Sequence, residues 1–193
     1  MRALRTVAMI SLLAAGTALV GSALYIPAKA ALAQVLLERA WTRAQAGEGG
    51  AKPWSWADIT PVAVLEVPRL GERSIVLEGA SGEAMAFGPG HMSNTAPIGA
   101  RGTAVVAAHR DTQFAYLQEV QDGDRIVVQT ADGRRSAFRV VEMRVVRADA
   151  SGLDPDDAGP TGARLALVTC YPFNGVLRGP WRYVVLADRE AEA

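Results

Sequence analysis

The sequence predicts a mainly β protein, a closed or nearly closed barrel of short strands with helical inserts, preceded by an N-terminal transmembrane helix. Three observations carry this reading. After Pro61 a series of short segments is rich in Val, Ile, Leu and Thr. Clusters of Gly, Pro and Asp separate them, and few stretches between them carry a helical period. Near the start, an uncharged apolar run of membrane-crossing length follows two arginines.

That run is Thr6 to Ile26, 21 residues, against roughly 20 needed to cross the hydrocarbon core as a helix. Arg2 and Arg5 precede it, which places the N-terminus in the cytoplasm and the remainder outside. Residues 1–30 therefore read as a single-pass anchor in the cytoplasmic (inner) membrane, with the rest on the periplasmic, extracytoplasmic side. The alternative is a cleaved signal peptide, because Ala28-Lys29-Ala30 resembles a small-x-small cleavage site. Both readings export the folded part.

Residues 31–51 read as a juxtamembrane helix and linker. Ala, Leu, Gln, Glu and Arg favour a helix, and Gly47, Gly49 and Gly50 end it. Leu37 and Trp41 lie one turn apart and offer a face to the membrane surface or to the domain.

Residues 52–193 form the remaining domain. Strands are expected at Val62–Val67, Ser74–Leu77, Thr103–Ala108, Arg125–Thr130, Ser136–Val146, Leu165–Thr169 and Trp181–Ala187. Ala131-Asp132-Gly133 marks a hairpin turn. Short helices are expected at Ser81–Phe87 and Thr112–Val120. Seven or eight such strands fit a barrel.

Composition excludes some functions. Twenty basic and twenty acidic side chains give zero formal charge, so nothing favours nucleic acid as a partner. Two histidines and one cysteine lack metal-ligand spacing, and neither metal nor cofactor is expected. The single cysteine makes no internal disulfide, and an exported lone thiol needs a reason to be kept.

Its surroundings supply one. Cys170 ends the apolar strand 165–169, and His109 ends the apolar strand 103–108, each where the chain turns polar. Arg182 interrupts the apolar, aromatic start of the last strand, where a charge needs a partner or a purpose. A thiolate is the attacking form, and a nearby cation favours it. His109 would supply that cation and then protonate a departing amine. Arg182 would offer fixed donors to an oxyanion.

These residues resemble the sortase family. Residues 103–112, T-A-V-V-A-A-H-R-D-T, are similar to its histidine motif. Residues 165–173, L-A-L-V-T-C-Y-P-F, resemble its cysteine motif, and 179–185, G-P-W-R-Y-V-V, its arginine strand. The loop 87–99 resembles the segment before the histidine strand. The wording is closest to class D, and 52–58 with 65–71 look like the sortases of Gram-negative proteobacteria, class GN. The likeness spans about Lys52 to Ala187.

The resemblance implies an eight-stranded sortase-type barrel that cleaves an LPXTG-like sorting signal through a thioacyl enzyme. The partners implied are a substrate protein with a C-terminal sorting signal and an amine acceptor. Carried over by position, Cys170 is nucleophile, His109 acid/base and Arg182 the oxyanion and substrate clamp. Thr169 and Ala108 fall at the substrate groove. The chain departs from the family at Ala166, where the motif has Thr, and at Ala108, where many relatives have Gly. His91 is the rival to His109 and Arg178 the rival to Arg182. An exported cysteine hydrolase of the same fold, and a non-enzymatic membrane-held interaction barrel, are the alternative functions.

Overall fold

The computed structural model describes residues 2–175 and 179–191, with part of the side chains before residue 27. Two compact units divide the chain, Met1–Leu36 and Leu37–Ala193.

Helix α1 runs from Arg2 to Gln45 without a break and includes Pro27. The separate anchor and juxtamembrane helices expected from the sequence are thus one element. Good helix formers flank Pro27 on its C-terminal side, so the lost hydrogen bond does not end the helix. The transmembrane span expected at Thr6–Ile26 lies within α1, and most of its side chains lie outside the described residues. Among the described residues, no helix is long and apolar enough to cross a membrane.

The second unit is a closed barrel. Its strands are β1 (Pro61–Val67), β2 (Glu72–Glu78), β3 (Gly90–His91), β4 (Gly102–Ala107), β5 (Arg125–Thr130), β6 (Arg135–Arg147), β7 (Ala163–Cys170) and β8 (Trp181–Arg189). Around the barrel they follow the order β1-β2-β3-β4-β7-β8-β6-β5, and β5 closes on β1. Seven of them match the segments expected from composition. The eighth, β3, bridges β2 and β4 with two residues, too few to show a period. Gly90 is required there, because a Cβ would sit 2.3 Å from the Gly79 carbonyl oxygen and 2.8 Å from Ala80 Cα.

Alternation along the strands sorts side chains to two faces. Leu65, Val106, Ile126, Phe138, Leu165 and Val185 fill the interior. On the outside, Val64, Ile75 and Leu77 are covered by Leu37 and Trp41 from the end of α1, so this helical face docks on the barrel. Val105, Ala166, Val184 and Leu186 form a second outer layer, packed with Leu153 from the β6–β7 loop.

Two pairings matter for the site. β4 and β7 are parallel, so their C-terminal ends emerge at the same rim. β7 and β8 are antiparallel, so β8 begins at that rim. Helix α2 (Gly82–Phe87) matches its expected place, with the Ser81 hydroxyl accepting from the Ala84 amide at 3.2 Å. The helix expected at Thr112–Val120 is instead a short 3-10 turn, Ala115–Glu119. No side chain caps it, and burial of Phe114 and Leu117 holds it in place.

Candidate active site

The rim where β4 and β7 end carries the polar residues. Along β7, Thr169 points inward and is buried, so Cys170 falls on the outer face, partly exposed. The Thr169 hydroxyl donates to the Ala108 carbonyl at 2.8 Å, and the Ala108 amide donates to Val168 at 3.2 Å. These bonds lock the two strand ends together. Ala107 is paired with Val168, and continuing that register by two residues sets His109 beside Cys170. On the other side, Cys170 is the direct cross-strand partner of Arg182.

His109, Cys170 and Arg182 line one cleft of about 410 Å³, together with Ala107, Ala108, Val168 and Thr169. The three side chains named from the sequence as candidates for catalysis are therefore brought together. Gly82 and Met85 from α2, and Gly179, complete the lining. Sequence reasoning missed Gly82 and Met85. It located their helix, but a six-residue helix has no pattern that says which face meets a cleft.

Arg182 is held by the backbone around the start of β8. Its Nη1 donates to the carbonyls of Gly179 and Trp181, both at 2.8 Å. Among the described residues, Nε and Nη2 have no hydrogen-bond partner, so a second donor edge remains for a ligand. After Cys170 the chain is braced by aromatic rings. Tyr171 stacks on Tyr183 at 6.3 Å, and Phe173 meets Tyr183 edge-on at 5.2 Å. Burial, with a smaller contribution from Tyr171, raises the Tyr183 phenol above its ordinary value.

His91 lies elsewhere. Its Nε2 is 2.9 Å from the Ala96 carbonyl and 3.4 Å from the Thr95 hydroxyl, which ties down the loop after β3. It does not line the cleft. Arg178 falls outside the described residues. Ala166 sits in the outer apolar layer behind Leu153, where a small side chain packs without a hydroxyl to satisfy. Among the described residues, no group of three or more His, Cys, Asp or Glu is placed to hold a metal ion.

Comparison with known proteins adds the family. The sortase domain matches residues 65–190. Sortase D of Bacillus subtilis (strain 168) is 28% identical over 131 residues, covering 65% of this chain and 62% of that protein. Ribosomal RNA small subunit methyltransferase A of Anaeromyxobacter dehalogenans (strain 2CP-C) is 33% identical over 141 residues, 73% of this chain but 43% of that protein. The chain thus spans less than two thirds of the length of either relative. Among solved structures, sortase A from Corynebacterium diphtheriae superimposes with a TM-score of 0.60 at 20% identity, covering 84% of this chain and 86% of that one. Sortase E from Streptomyces avermitilis gives 0.55 at 30% identity, covering 68% and 88%.

Proposed function

This chain belongs to the sortase family, and from that premise we propose that it is a cysteine transpeptidase acting on an LPXTG-like sorting signal. The observation that carries the reading is the common cleft. The chain's only thiol lies directly across from Arg182 and beside the strand end that carries His109.

The roles follow from the atoms. The Cys170 thiolate attacks the carbonyl carbon of the scissile peptide bond, and the electron pair moves to the carbonyl oxygen. The donors of Arg182 not engaged with its own strand stabilise that oxyanion. Collapse expels the amine, which takes a proton from the His109 imidazolium. The product is a thioester on Cys170 and a neutral imidazole. An incoming amine then attacks the thioester, His109 accepts its proton, and the thiolate leaves. The apolar floor of Ala107, Ala108 and Val168 excludes water from the peptide and strengthens each of these interactions.

Residues 6–26 anchor this enzyme in the cytoplasmic membrane, with the barrel on the outer side. Arg2 and Arg5 support that orientation. The large apolar side chains described in this part of α1, including Met9, Leu13 and Leu19, are exposed, as a lipid-facing helix requires.

The test uses the purified chain with a sorting-signal peptide, with and without a primary amine. The expected product is an amine-linked peptide formed through a thioester that mass spectrometry localises to Cys170. Cys170→Ala and His109→Ala are expected to form no adduct while melting as the parent does. Release of a free peptide acid alone, unchanged by amine, would instead mark a hydrolase. No thioester at all would sink the enzymatic reading.

A further inference from the structure

We propose that Arg110 is a positioning residue that pins the loop after Cys170 to the turn carrying His109, and so fixes the approach of imidazole to sulfur. The inference rests on the reading of His109 and Cys170 as a working pair. Strand pairing alone does not secure that approach. The last backbone pairing between the two strands is the Ala108 amide on Val168, reinforced by the Thr169 hydroxyl on Ala108. Beyond it the chains diverge into a turn after His109 and a loop after Cys170.

Arg110 crosses that gap. Its side chain is only 7% exposed, an unusual place for a cation. Nη1 donates to the Pro172 carbonyl at 2.9 Å, and Nη2 donates to the Gly175 carbonyl. Nε lies 3.3 Å from the Asp111 carboxylate, and that side chain is 70% exposed. Two carbonyls of the cysteine loop thus accept from the guanidinium, through charge-assisted bonds of fixed fork geometry.

The loop is shaped to receive it. The Pro172 carbonyl also accepts from the Gly175 amide at 3.0 Å, closing a turn around the guanidinium. A Cβ on Gly175 would lie 3.0 Å from Arg110 Nη1 and 3.1 Å from the Pro172 oxygen, so the glycine leaves room for the contact. Phe173, between the two accepting residues, packs on the barrel core. An apolar side chain of similar bulk fills the same space. What an apolar side chain does not replace is the directed link between two loops. His109 and Cys170 sit at the two ends of that link.

The test exploits the single thiol. Labelling of Cys170 by iodoacetamide is followed against pH in the full-length parent, Arg110→Met, Gly175→Ala and His109→Ala, with thermal melts alongside. Arg110→Met keeps bulk and removes the donors. Gly175→Ala keeps the charge but displaces it, and it carries the test if Arg110→Met does not fold. The expected result is that both profiles superimpose on that of His109→Ala, with cooperative melting retained. Profiles superimposing on the parent overturn the inference and leave the functional reading standing. If the parent and His109→Ala superimpose on each other, no His–Cys pair exists and both fall.

Discussion

Arg182 shows how one side chain can brace the backbone and still face a cleft with free donors. Two of its bonds run from a single nitrogen to the carbonyls of Gly179, just before β8, and of Trp181, which fixes the plane of the guanidinium before any ligand arrives. A ligand oxyanion would then meet an oriented donor edge. Arg182→Ala is expected to lower the single-turnover rate of thioester formation by about 100-fold, the usual effect of deleting one oxyanion donor. Peptide KM should change little. Arg182→Lys should recover only part of the rate, because an ammonium does not hold both carbonyls and present a second fixed donor. Quenched-flow mass spectrometry reads this directly. The meeting of Cys170, His109 and Arg182 in one cleft was legible in the sequence because each interrupts or ends an apolar run. Arg110 was not, since a buried cation in a polar turn has the same spelling as a solvated one.

Among the elements, composition located seven strands because each runs five residues or more against a single core. β3 escaped because its role is geometric, a bridge kept by the space that Gly90 leaves. The turn between β1 and β2 holds a feature equally hidden. Arg69 donates to both oxygens of Asp124, at 2.6 and 2.8 Å, and the Gln121 amide adds a third bond at 2.8 Å. The Arg69 bond, followed by the Gln121 amide, outweighs burial and lowers the Asp124 carboxyl below its ordinary value. A lowered carboxyl stabilises the fold above its unfolded value, about 3.9, and that contribution is lost as pH falls through the folded one. Asp124→Asn is therefore expected to be less stable at neutral pH and to show a shallower decline in acid. Urea midpoints measured across the acid range check this. An identical decline in both proteins would assign acid sensitivity to other carboxylates.

For the molecule as a whole, the sequence placed a helix before a barrel and left the Leu37–Trp41 face to either the membrane surface or the domain. Leu37 and Trp41 are buried against β1 and β2 within the second unit, so this end of α1 is part of the folded core. On the anchoring proposed for residues 6–26, a chain beginning at Leu37 is expected to fold and to leave the membrane fraction, whereas the full chain stays in it. A chain beginning at Lys52 loses that cover and should melt well below the first. Leu37→Ala alone should cost about 2–5 kcal/mol. Calorimetry and membrane fractionation separate the two roles. Equal melting of both truncated chains would show that the helical cover is dispensable.

The parallel run of β4 beside β7 has a further consequence for how such a protein tolerates change. β4 is six residues long, about 20 Å at some 3.3 Å per residue. Reversing one strand would carry sulfur and imidazole to opposite mouths of the barrel. Strand direction is set by the route the backbone takes between Ala107 and Ala163, a detour through β5 and β6. Exchanging side chains can blunt the reagents or spoil their approach but keeps both at one rim, and lengthening a surface loop on that detour does the same. Only rewiring the chain path would send them to different rims.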